Sequence, residues 1–143
     1  MGKTRFHLAF PVHSLTAARR FYVGGLGCVA GRQSEHALIL GLAGNQIVAH
    51  LTQGILPKQK GIYPRHFGLI FNSLKDWTAL VRRAKRKKLK FYSEPKIRFP
   101  GTPVEHRSFF LQDPSGNLLE FKYYKLASAV LGKKGLKKVG DRR

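Results

Sequence analysis

Acidic residues are scarce in this chain. Seven Asp and Glu stand against 27 Lys and Arg among 143 residues, a formal net charge of +20. Such a field attracts nucleic acid, anionic membrane or acidic small molecules. Much of the charge lies in two runs, residues 82–90 and 133–143. Neither run interleaves aromatics with its basic residues, as a single-strand binder would. A solvated helix face plus a basic tail is the plainer reading; nucleic acid is a possible partner but not the favoured one. Cysteine is nearly absent too. Cys28 alone excludes an internal disulfide framework and fits a reducing compartment, where it reads as a small buried hydrophobe. No run approaches the eighteen or so apolar residues of a membrane span, so no membrane partner is expected. No apolar h-region follows the first basic residues, so a cytoplasmic location is expected.

What is present suits one core of ordinary size: 43% of the residues are hydrophobic. The pattern runs twice. In residues 5–12, Phe6, Leu8 and Phe10 alternate with Arg5, His7 and Ala9, the period of a half-buried strand. Ser14 then stands where a helix N-cap belongs, and Gly24, Gly25 and Gly27 end the helix. Strand candidates follow at 28–33, 36–42 and 45–51. After a polar connector at 53–62 the same order restarts, with His66 over His7 and Ser73 over Ser14. A helix carries Trp77, Leu80, Val81 and Ala84 on one stripe. Strands then fall at 90–93, extending toward 99 with a break at Pro95, and at 104–112 and 117–124. Two βαβββ modules, about 5–52 and 64–125, predict an α+β domain over 1–125. The expected architecture is a curled, cup-like mixed sheet with helices on its outer face. Residues 126–143 form a basic C-terminal tail.

The last strand carries the feature that asks for chemistry. Asp113, Pro114, Ser115 and Gly116 read as a tight turn. It feeds an apolar strand with one carboxylate, Glu120, among Leu118, Leu119, Phe121 and Tyr123. Burying a lone carboxylate is costly unless a cation or metal compensates it. Strand alternation puts His7, His66 and Glu120 opposite the apolar faces of their strands, with His50 and His106 placed likewise on theirs. One sheet interior could gather them. Two imidazoles and a carboxylate make the facial triad of non-haem Fe(II) oxygenases, and would also hold Zn²⁺, Ni²⁺ or Mn²⁺. The competing structural reading pairs Glu120 with an arginine such as Arg98.

These residues resemble a known family. The opening FHLAFPV at 6–12, the second opening HFGL at 66–69, and DPSGNLLEF at 113–121 resemble the vicinal oxygen chelate superfamily: glyoxalase I, bleomycin-resistance proteins and type I extradiol dioxygenases. NQIVAHL at 45–51 and RFPG at 98–101 look like a small extradiol-dioxygenase-like branch. The resemblance covers about residues 5–125. It implies metal ligands at His7, His66 and Glu120, and a second-shell acid–base role for His50. Val48 falls where glyoxalase-type members place a fourth ligand, and valine cannot ligate. Phe110 falls where extradiol enzymes carry a substrate-binding tyrosine, so His106 or Tyr124 would have to stand in. His106, Phe110 and Tyr124 are the substrate-contacting candidates.

The expectation is therefore a divalent-metal-dependent oxidoreductase, Fe(II) favoured, acting on a small substrate with vicinal oxygens. A glyoxalase-type lyase or isomerase, and a metal-free sequestering protein of the bleomycin-resistance type, are the alternatives. A homodimer is expected. The sequence is compatible with the two halves closing one site within a chain or across that dimer.

Overall fold

The computed structural model describes residues 1–132, 135, 137, 139 and 140; the other positions of the basic tail (133, 134, 136, 138 and 141–143) lie outside the described residues. The first alternating stretch becomes strand β1, His7–Val12. Ser14 is extended, and its Oγ accepts from the Ala17 N–H at 3.1 Å, satisfying one orphan donor of the first turn. Helix α1, Leu15–Arg19, widens directly into a π-helical segment, Arg20–Leu26. Gly27, at φ 85°, closes it in the left-handed conformation. Strands β2 (Val29–Gln33), β3 (Ala37–Leu42) and β4 (Asn45–Leu51) complete the first module.

The second module repeats the first. Strand β5 is Phe67–Phe71, and Ser73 caps helix α2, Leu74–Arg86, by accepting from the Asp76 N–H at 3.1 Å. Strands β6 (Phe91–Arg98), β7 (His106–Gln112) and β8 (Leu118–Tyr124) follow. The break expected at Pro95 is a register slip of β6 against β7 between Ser93 and Lys96, where proline has no N–H for the ladder. Each module is a four-stranded mixed sheet, ordered β1-β4-β3-β2 and β5-β8-β7-β6. The first strand of each lies parallel to the last, and all other pairs are antiparallel. This is the α+β, twice-βαβββ architecture that the repeat implies, with the two sheets not joined edge to edge.

One core serves both modules. Phe10 of β1 packs 5.2 Å from the rings of both Tyr22 and Phe67, and Trp77 of α2 sits edge-on to Phe109 at 5.5 Å. Trp77 also donates its indole N–H to the Phe121 carbonyl at 2.9 Å. Each such side chain, taken fully out of water, contributes about 1.5–3 kcal/mol. Cys28 is buried near this core, and burial pushes its thiol up to about 11, so it is an unreactive hydrophobe. Because the apolar faces and both helices meet in one core, alternation turns the other face of each sheet away from it.

The Asp113 turn ties the modules together. Its Oδ2 accepts from the buried Tyr22 hydroxyl at 2.7 Å and from Asn117 Nδ2 at 2.9 Å, while Oδ1 accepts from the Ser115 and Asn117 N–H groups at 2.8 Å each. Asn117 Nδ2 also reaches the Pro11 carbonyl of β1 at 2.9 Å. The turn that opens β8 is thereby anchored to the other module.

Candidate metal centre

Glu120 sits in mid-β8 and is 7% exposed. Its two oxygens have different duties. Oε1 accepts from Ser108 Oγ of β7 at 2.8 Å. Oε2 faces His66 Nε2 at 3.0 Å and Lys122 Nζ at 3.4 Å. Burial alone would raise its carboxyl pKa, but the hydrogen bond from His66, the charge of Lys122 and the Ser108 hydroxyl outweigh it and hold it below the ordinary value. The partners of Glu120 are therefore His66, Lys122 and Ser108 rather than Arg98.

His66 lies just before β5. Its Nδ1 is 2.6 Å from the Ile62 carbonyl, which fixes the proton on Nδ1 and leaves Nε2 as the nitrogen presented to Glu120. The hydrogen bond with Glu120 raises the imidazole pKa against the opposing effect of burial. An imidazole locked through Nδ1 and a carboxylate steadied at one oxygen is the outer-shell arrangement of metal ligands. Gly68 makes the approach of β5 to β8 possible: a Cβ there would run into the backbone of Glu120 itself.

The other candidates divide between the two sheets. His106 and Tyr124 are opposite one another in the β7–β8 ladder with rings 4.7 Å apart, and Phe110 is edge-on to His66 at 5.3 Å. With His66 and Glu120 they line a cavity of about 400 Å³ that also takes in Tyr63, Arg98, Phe99 and Lys122. His106 Nδ1 contacts the Val104 carbonyl at 3.0 Å, and burial lowers its pKa, so the ring is neutral at pH 7 with Nε2 its basic atom. His7 and His50 are elsewhere. Both are exposed, on β1 and β4 of the first sheet, where His7 Nδ1 lies 2.8 Å from Gln46 Oε1. The single interior gathering all of these groups does not form within one chain, because the shared core lies between the sheets and their polar faces point apart. Among the described residues no three of His, Cys, Asp and Glu stand together as a metal-holding group.

Tyr63, Phe99 and Lys122 line the cavity as well, and none of them stands among the candidates read from the sequence. Lys122 was recoverable, since it lies two residues from Glu120 and so shares its face. Arg98 shares a rung with His106 and Tyr124 through pairing that a sequence does not display.

A model of the Glyoxalase/Bleomycin resistance protein/Dioxygenase superfamily matches residues 5–121. The chain belongs to that superfamily. Its members usually bind a divalent metal and include many enzymes. A glyoxalase/bleomycin resistance protein/dioxygenase from Alicyclobacillus acidocaldarius is 40% identical, with a TM-score of 0.85 over 90% of this chain and 98% of that one. A virulence protein from Salmonella typhimurium is 25% identical, with a TM-score of 0.59 over 87% and 99%. The fosfomycin resistance protein FosX from Listeria monocytogenes shares the fold at 16% identity, with a TM-score of 0.68 over 90% and 99%. No curated protein matches the chain. Both the superfamily match and the two structural relatives under 30% identity leave the reaction unassigned.

Proposed function

We propose that this chain is a divalent-metal-dependent enzyme acting on a small substrate through two vicinal oxygens, with Fe(II)-dependent, extradiol-type ring cleavage as its leading chemistry. The observation that carries the reading is the His66–Glu120 pair, each member held by a further hydrogen bond and both lining one cavity. His66 Nε2 and Glu120 Oε2 fit a divalent ion as donor atoms, and the third donor, His7, would come from a second copy in a homodimer. When bound, the ion supplies Lewis acidity that favours deprotonated vicinal oxygens.

The chain's own residues supply the remainder. His106, neutral and committed through Nδ1, can take a proton at Nε2 and return it. Phe110 and Tyr124 give the cavity apolar walls that orient a ring and exclude water. His50 would reach this cavity only from the second copy, on the same sheet face as His7. A second reading is supported by Phe110, which offers no hydroxyl where extradiol enzymes place one. It is an oxygen-independent lyase or isomerase of the glyoxalase type.

Anaerobic Fe(II) titration followed by nitric oxide, read by electron paramagnetic resonance, tests the reading. One high-spin iron–nitrosyl signal per chain, lost in His66→Ala, is the expected result. Absence of iron binding overturns it in favour of a sequestering protein. Turnover that persists without O₂ selects the lyase or isomerase.

A further inference from the structure

The metal centre leaves the basic run at 82–90 unused, and the structure shows where its charge is displayed. Arg82, Lys85 and Arg86 are exposed on α2, while Trp77, Val81 and Ala84 face the core. They stand three and four positions apart, so they share one helix face within about 6 Å along the axis. Past the helix end, Lys87, Lys88 and Lys90 border a groove of about 610 Å³, which Arg20 of the π-helical segment lines as well. Arg83 joins the two elements by donating to the Gly25 and Gly24 carbonyls.

Helix stability does not call for this much charge. A helix C-terminus carries the equivalent of about half a negative charge, and like charges at these spacings repel one another. No acid offsets them. Among the described residues none of these seven exposed cations has an ion-pair partner. Asp113, the acid lining the groove, is 4% exposed and has both oxygens bonded within the protein. Lys88 sits at φ 55°, where glycine is the unstrained residue. A lysine there adds charge to the groove while straining the backbone.

A row of unpaired cations is complementary to a row of phosphates. From Ala79 to Lys90 no large apolar side chain is exposed for insertion into a membrane. Phe21, the aromatic lining the groove, is buried and cannot stack on the bases of a single strand. The major groove of duplex RNA is too narrow for a helix, whereas that of B-form DNA, about 12 Å wide, admits one. We infer that α2 and the adjoining groove dock on duplex DNA, with the cations meeting backbone phosphates and no base being read. The docking surface is separate from the His66–Glu120 cavity and does not depend on metal.

Fluorescence anisotropy of the full chain with a short labelled duplex of arbitrary sequence tests this. If about five phosphates are neutralised, log affinity should fall against log salt with a slope of about −4.5. Arg82→Gln, Lys85→Gln and Arg86→Gln combined should weaken binding at least tenfold in low salt and make the slope shallower by about 2 to 3. Lys3→Gln, Arg5→Gln and Arg32→Gln remove the same charge from exposed positions elsewhere, and should change affinity less than about threefold. Lys88→Gly should melt at a higher temperature and lose about 0.9 of the slope. Equal losses in the two triple variants overturn the inference, because net charge alone would then explain binding. So does an unchanged slope in Lys88→Gly. In the unaltered protein, no binding at about 50 mM salt overturns it whether or not the variants fold. Tighter binding of duplex RNA, of a single strand or of phosphatidylserine vesicles than of duplex DNA does the same.

Discussion

His66 and Glu120 hold one another in the metal-free chain, and that contact has a pH signature. The pKa of His66 is raised, so its contribution to stability is complete below the ordinary imidazole value of 6.5 and is lost as pH rises through the raised one. The pKa of Glu120 is lowered, so its contribution is present above the ordinary 4.5 and is lost as pH falls through the lowered one. Chelator-treated protein should therefore melt at its highest temperature between those two ordinary values. His66→Ala should flatten the alkaline side, and a profile that keeps its alkaline slope in that variant would refute the pairing. Metal competes with the His66 proton, so Mn(II) affinity should climb as pH rises through the raised value. Gly68 works on the same contact from the backbone. Gly68→Ala puts a methyl into the backbone of Glu120, and the overpacking should cost about 1–3 kcal/mol in urea denaturation and weaken Mn(II) binding with it.

The elements were legible wherever local pattern decided them. Ser14 and Ser73 cap their helices as the sequence implies, and Trp77, Val81 and Ala84 of α2 face the core. These features depend on contacts within a few residues. The widening of α1 into a π-helical segment was not legible, since it answers to packing against the second module, where Arg83 donates to the Gly25 and Gly24 carbonyls at 2.7 and 3.2 Å. The DPSGN turn was readable as a turn but not as a clamp. Its carboxylate, 4% exposed, receives the Tyr22 hydroxyl from 91 positions away, a distance along the chain that no local rule covers. Asp113→Ala strands that hydroxyl and the turn's own N–H donors, so it should cost about 3 kcal/mol or more, and Tyr22→Phe about 1 kcal/mol. Urea denaturation of both variants checks the order. A Tyr22→Phe loss as large as that of Asp113→Ala would locate the clamp's strength in the phenol rather than in the turn.

At the scale of the whole molecule, alternation places residues on one face or the other of a single strand but cannot say which way the two sheets turn. Because both apolar faces share one core, His7 presents itself on one open face and His66 with Glu120 on the other. His66 and Glu120 also border a second, shallower depression beside Gly68, Leu69 and Ile70, where Ile70 is 44% exposed. The cavity's other side is walled by the chain's own tail, including Ala129 and Gly132. The β5 side is therefore the approach along which a second copy could bring its His7. If it does, two copies make two equivalent sites, each built from both chains. His7→Ala and Glu120→Ala should each abolish tight Mn(II) binding alone. Mixed, unfolded and refolded together at equal amounts, they should recover it: a mixed pair has one site with both defects and one with neither, so random re-pairing restores roughly one quarter of all sites. Electron paramagnetic resonance of bound Mn(II) would count them. No recovery in a mixture that refolds to dimers would mean that the third donor lies within the chain, and that His7 belongs to the surface of its own sheet.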